Sequence, residues 1–286
     1  MNPYQHFVAE LERLMREGRD WPLAPATIAP VPRPPSRPDA PVALLFSPHP
    51  DDEVLMGGLA LRLMREAGWR VVNVGVTLGS RHARRAARAE ELRASCGYLG
   101  FELVLAAPNG LEHINLEARG GGAPGWAASV RRIADIIAQQ APALVFFPHA
   151  EDVNSTHVGT HQLVVDALTL LGPGFRTRTV QTEFWGSLRA PNLLLELGAD
   201  EVAALVTALT FHVGEVQRNR YHLSLPAWLI DNVRRGSELV LGQGALGCPF
   251  TFGIPYRLAL WERGAFARPS PGRALSLRDD VAAAFH

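Results

Sequence analysis

Two short stretches concentrate the side chains that hold cations and move protons. Residues 42 to 58, VALLFSPHPDDEVLMGG, carry His49, Asp51, Asp52 and Glu53 directly after an apolar run. Residues 149 to 161, HAEDVNSTHVGTH, carry His149, Glu151, Asp152, Asn154, His157 and His161 after a second such run. Helix capping and the helix dipole account for one or two of the first group's carboxylates. They account for neither the histidine nor three consecutive acids, which repel one another unless a cation or a proton intervenes. The first cluster therefore reads as a metal site. The second strengthens that reading, because His157 and His161 share one face if a helix has begun by Thr156.

The flanking residues say how the clusters meet. Val42 to Phe46 has the length and β-branched content of a buried parallel strand, and Val54, Leu55, Leu59, Leu63 and Met64 then follow helical spacing. Further strands are expected over Arg70–Gly79, Phe101–Ala106, Ala143–Pro148 and Thr179–Gly186, with helices over Arg81–Leu99, Trp126–Gln140 and the residues after His161. Alternating strands and helices imply right-handed crossovers. The expected fold is α/β, a Rossmann-like three-layer αβα arrangement with a mostly parallel sheet. Both clusters occupy strand-to-helix turns at the C-terminal edge of the strands, facing one crevice.

Residues 1 to 41 read as a Pro-rich N-terminal extension of a single domain spanning 42–286. Phe7, Val8, Leu11, Leu14 and Met15 form one stripe of a short helix, and eight prolines from Pro22 to Pro41 force an extended lead-in. The extension is expected to lie on the main domain or to serve as an oligomer arm, so a homo-oligomer stays open. Formal net charge is zero, which gives no case for nucleic acid as partner. No stretch approaches ~18 uninterrupted apolar residues and no export signal is visible, so no membrane span and a cytoplasmic location are expected. All 28 basic residues are arginine, which excludes Schiff-base and P-loop lysine chemistry. Cys96 and Cys248 lie far apart, without the spacing of a disulfide framework or Cys-rich zinc site.

Ser47-Pro-His-Pro-Asp-Asp-Glu53 after a strand, Thr77 to Ser80, Arg88-Ala-Glu-Glu-Leu and Asp152-x-Asn-x-x-His-x-x-x-His161 together resemble the PIG-L/LmbE family of zinc-dependent N-deacetylases. The resemblance covers roughly residues 42 to 186, and the tail around His222-Leu-Ser-Leu-Pro-Ala-Trp228 resembles one bacterial branch. It implies His49, Asp52 and His157 as ligands of Zn2+, with Asp51 as general base. Two departures stand out. Thr156 replaces the usual aspartate before the last ligand, and Asn154 stands where several members have a second histidine. Asn154 can donate to an oxyanion but cannot shuttle a proton, so Asp51, His161 or His222 would have to supply the second proton transfer. Two neutral imidazoles and a carboxylate leave an ion with open positions; the same donors accept Fe2+.

Arg88, Trp185, His161 and His222 are the expected substrate contacts, with Arg81 and Arg84 equally well read as a solvated helix face. Trp185 or Trp228 could stack on a sugar ring or belong to the core. Gly242-Gln-Gly-Ala-Leu-Gly247 fits GxGxxG but opens no helix, and reads as a loop. Three functions follow: removal of acetate from an N-acetylated amino sugar or glycoconjugate, hydrolysis of a different acyl or thiol conjugate, or carbohydrate binding without turnover.

Overall fold

The first apolar run forms strand β1 (Val42–Ser47), buried along its whole length. The structure, a computed structural model, describes residues 2–35, 37–122, 124–244 and 246–285, leaving aside the side chain of Pro124. The elements before and after β1 are α1 (Pro3–Glu17), α2 (Asp52–Leu55), α3 (Gly58–Ala67), β2 (Arg70–Gly75), α4 (Arg85–Leu99) and β3 (Glu102–Leu105). Next come α5 (Leu116–Gly120), α6 (Pro124–Gln140), β4 (Leu144–Pro148), α7 (Ser155–Leu170), β5 (Thr177–Thr182) and β6 (Leu193–Leu197). The C-terminal part adds α8 (Ala199–Thr210), α9 (Val213–Arg218), α10 (Tyr221–Leu241), β7 (Phe252–Glu262), β8 (Ala265–Phe266) and β9 (Arg273–Leu275).

The strands lie in the order β3-β2-β1-β4-β5-β7-β6-β9, with β8 beside β7. The first five are mutually parallel, and β7 runs antiparallel to both β5 and β6. The expected α/β architecture is thus present. Alternation along the strands sorts two cores. Ala43, Leu45, Leu144 and Phe146 pack with side chains of α3, α4, α8 and α10, whereas Val42, Leu44, Phe46, Val145 and Phe147 pack with α6 and α7.

Strand β2 ends at Gly75 rather than at the expected Gly79, and two further boundaries differ for visible reasons. Strand β5 stops at Thr182 because its partner β4 stops at Pro148, so Glu183 and Trp185 lie in the loop beyond. The helix expected after β1 is broken at Met56-Gly57. There the Tyr256 hydroxyl donates to the Met56 carbonyl (3.0 Å) and accepts from Leu59 N (3.1 Å), completing backbone bonds that a continuous helix would have made itself. The Pro-rich lead-in does lie on the domain, where Val31 N donates to Tyr98 O at 2.8 Å. None of the residues of helix α1 is buried, and its apolar stripe is exposed. The GxGxxG segment follows α10 as a loop, with Ala245 outside the described residues. Among the described residues no helix is long and apolar enough to cross a membrane, and both cysteines are free.

Helix α7 is pressed against the loop before α5: a Cβ on Gly159 would stand 2.2 Å from the Ile114 carbonyl oxygen. Gly159→Ala is expected to destabilise the protein by about 1–3 kcal/mol, read as a lower urea midpoint with an unchanged m-value.

Candidate metal centre and active site

Strand order reverses between β1 and β4, with β2 and β3 on one side and β5 on the other, and a crevice opens at such a switch point. His49 stands just past the end of β1, and His157 enters from the first turn of α7, whose N-terminus follows β4. Their ring nitrogens meet across this crevice. His49 Nδ1 lies 3.2 Å from His157 Nε2, His157 Nε2 lies 3.3 Å from Asp52 Oδ2, and His49 Nδ1 lies 3.4 Å from the same oxygen. In a tetrahedral site with bonds of about 2.0–2.1 Å, two ligand atoms stand about 3.3–3.4 Å apart, so these atoms fit one face around a zinc-sized ion. Residues 108 positions apart in the chain supply that face.

The three consecutive acids leave the turn in three directions. Asp52 turns to the two imidazoles, its Oδ2 also accepting from His49 N at 2.8 Å. Glu53 is fully buried on the opposite side, where Oε1 accepts from Ser95 Oγ (2.7 Å) and lies 2.6 Å from His212 Nε2. Asp51 stays on the cavity wall, with Oδ2 accepting from the Tyr221 hydroxyl at 2.5 Å. Its backbone has φ 112°, a region few non-glycine residues enter and one that costs about 1–3 kcal/mol. Glu53 Oε2 accepts from the Asp51 N–H at 2.8 Å and helps hold that conformation.

Electrostatics follow from these partners. Burial disfavours the charged form of Asp52, but His157 and His49 outweigh it and hold the carboxyl well below its usual range. Burial likewise opposes charge on His157, yet Asp52 and Asp152 raise it to about 10. Burial and then the Asp52 charge push Asp51 up to about 6. Asp152 Oδ1 lies 3.5 Å from His157 Nδ1, the nitrogen turned away from the ligand cluster. The carboxylate is fixed in turn by the N–H groups of Asn154 (2.8 Å), Trp185 and Gly186 (both 3.1 Å). A carboxylate behind a ligand histidine is the usual device for fixing the ring and its tautomer.

Residues 44–168 match the family model for PIG-L, GlcNAc-PI de-N-acetylase. The PIG-L resemblance is borne out over that segment. No curated protein matches the sequence. Among solved structures, the conserved protein TT1542 from Thermus thermophilus is 20% identical with TM-score 0.57, covering 75% of this chain and 92% of its own. GalB, the 4-carboxy-2-hydroxymuconate hydratase from Pseudomonas putida, is 17% identical with TM-score 0.56, at 82% and 100% coverage. N,N'-diacetylchitobiose deacetylase from Pyrococcus horikoshii is 16% identical with TM-score 0.53, at 90% and 93% coverage. At these identities the three structures share the fold.

A cavity of about 870 Å3 opens over the two polar clusters, and His49, Asp51, Asp52, Arg88, Asn154, His157 and Trp185 all line it. Arg88 reaches past Gly79, where a Cβ would stand 2.3 Å from its Nη1, and donates from Nη2 to Pro50 O at 3.0 Å. Trp185 is 67% exposed and forms a rim rather than core. Asn154 is the N-cap of α7, its Oδ1 accepting from Thr156 N (2.9 Å) and His157 N (3.4 Å), so only its Nδ2 group remains to donate. Two expectations need correcting. His161 is not at the cavity, because its Nδ1 lies 2.8 Å from Pro148 O and its ring packs on Phe147. His222 is buried in the first turn of α10, and its neighbour Tyr221 faces the cavity instead. Of the two doubtful arginines, neither lines the cavity, and Arg84 pairs with Glu91 and Glu215. Sequence reasoning missed Tyr221 and His212. Tyr221 adjoins the His222 segment, but no spacing rule singles out either residue.

His157 must lose its proton to bind a cation. Zinc affinity is therefore expected to rise about tenfold per pH unit between 7 and 9, with close to one proton released at neutral pH. Calorimetry in buffers of different ionisation enthalpy measures this release. Asp152→Asn should weaken zinc binding about 10–100-fold in chelator competition while leaving the fold intact.

Proposed function

We propose that this chain is a metal-dependent deacetylase that removes the acetyl group from an N-acetylated amino sugar or its conjugate. One observation carries the proposal: three ligand atoms 3.2–3.4 Å apart stand beside an acid that does not join them, on the wall of one cavity. His49, Asp52 and His157 would hold the ion, zinc by the size of the ligand face, with Fe2+ the other ion these donors accept. Bound there, a divalent ion supplies a Lewis acid and an acidified water.

The chain's own residues do the rest. Asp51, raised towards neutrality, accepts the proton of the water as it attacks the amide carbon. Asn154 Nδ2 donates to the developing oxyanion. The same Asp51 proton then passes to the amine as the C–N bond breaks, leaving acetate and a free amino group. Neither His161 nor His222 lines the cavity, so both proton transfers are assigned to Asp51. Arg88 meets substrate hydroxyls, and Phe184, Trp185 and Trp228 offer ring faces for a sugar or its aglycone. The likeness to a diacetylchitobiose deacetylase supports the sugar half of this assignment.

Acetate release should be measured on N-acetylglucosamine, its methyl glycoside and N,N'-diacetylchitobiose. Turnover is expected to vanish with chelator and return with zinc. In Asp51→Asn it should fall about 10²–10⁴-fold with ion stoichiometry unchanged. Sugar binding without acetate release by the zinc-loaded wild type, across this panel and bulkier N-acyl sugars, would leave a carbohydrate-binding protein.

A further inference from the structure

The PIG-L match ends at residue 168, yet the supports of Asp51 come from beyond it. Tyr221, 170 residues away, holds one carboxylate oxygen of Asp51 from the cavity side. His212, 159 residues from Glu53, reaches that carboxylate from behind, and Glu53 in turn holds the Asp51 N–H. Both residues belong to the corner from His212 to Tyr221, which contains α9 and joins α8 to α10.

That corner is locked onto α4. Gly214 N donates to Glu91 Oε1 at 3.0 Å, and a Cβ on Gly214 would stand 1.9 Å from Arg84 Nη2. Glu215 lies 3.3 Å from Arg84 Nη1 and 3.9 Å from Arg88 Nε, while Arg88 also binds the carbonyl of Pro50, next to Asp51. The corner thus reaches the turn at Asp51 by three routes: a hydroxyl on the carboxylate, a buried imidazole–carboxylate pair on the N–H, and an arginine on the preceding carbonyl.

We infer that the 212–221 corner is a positioning clamp for Asp51, with Tyr221 fixing the rotation of its carboxylate and His212, through Glu53, fixing its left-handed backbone. The inference rests on Asp51 as the base of the proposed deacetylation. With Oδ2 occupied by Tyr221, Oδ1 is the oxygen left to face the attacking water. Neither Tyr221 nor His212 exchanges a proton with substrate in this assignment. They set where Asp51 stands.

The test combines structure and kinetics on full-length zinc-loaded protein. In crystals of His212→Leu, Asp51 is expected to leave its positive φ, and in His212→Gln, whose amide can still donate to Glu53, to keep it. On N,N'-diacetylchitobiose, or the best substrate of the panel above, Tyr221→Phe and His212→Leu should each lower kcat at least tenfold with KM and bound zinc unchanged. His212→Gln should restore most of the loss. Neither variant should add to the loss of Asp51→Asn. If His212→Leu fails to fold, Ser95→Ala removes another hydrogen bond to Glu53 and takes its place. Positive φ retained in His212→Leu, kcat within twofold of wild type in both variants, or losses that add to that of Asp51→Asn would overturn the clamp. Should Asp51→Asn itself retain turnover, the general-base assignment falls, and the φ measurement still decides whether the corner holds the turn.

Discussion

Three carboxylates on consecutive residues cannot share one environment, and the turn from His49 to Glu53 is built to separate them. One faces two imidazoles, one the cavity and one a buried imidazole behind the turn. Extended or regular helical backbone would not present them this way. The separation is achieved by placing Asp51 at φ 112°, and the surrounding structure over-determines that conformation. The metal face, the free acid and the buried pair are three results of one backbone decision.

The rest of the architecture can be understood as what keeps that turn in place. Pairing of β1 with both β2 and β4 fixes where the turn begins. The break between α2 and α3 ends α2 after one turn, and Tyr256, arriving from β7 on the far side of β5, completes the backbone bonds at the break. Across the crevice, Asn154 caps α7 and Asp152 backs His157, so ligand geometry on that side comes from two polar residues of a single loop. Loop 183–186 joins in through the N–H groups of Trp185 and Gly186, tying the aromatic rim of the cavity to the same carboxylate.

How much of this could be seen in the sequence depended on distance along the chain. The parallel sheet and the switch-point crevice rest on local signals, an apolar run, a polar turn and a helical period, whereas the choice of His49, Asp52 and His157 as the ligand set comes from the family resemblance. Each of those signals was legible. His161 was misplaced because helical spacing puts it on the face of His157 without revealing that it sits one turn deeper, against Phe147 and Pro148. The end of β5 was misjudged because strand length is set by the partner, not by the strand's own composition. Tyr221 and His212 were invisible for a stronger reason. Their partners are 170 and 159 residues away, and no pattern within α8 to α10 marks a residue that serves a turn at the other end of the chain.

A proton and a divalent cation compete for the same three atoms. His157 binds its proton tightly because Asp52 and Asp152 flank it, and those same carboxylates are what would make the imidazole a good ligand. Exchanging the proton for a divalent ion would raise the charge of the cluster by one. The buried partners of Glu53 need not change, because His212 answers that carboxylate independently of the cluster. The groups that hold Asp51, Glu53 and Asp152 all come from the chain itself. An ion held by these three donors would keep open positions beside Asp51.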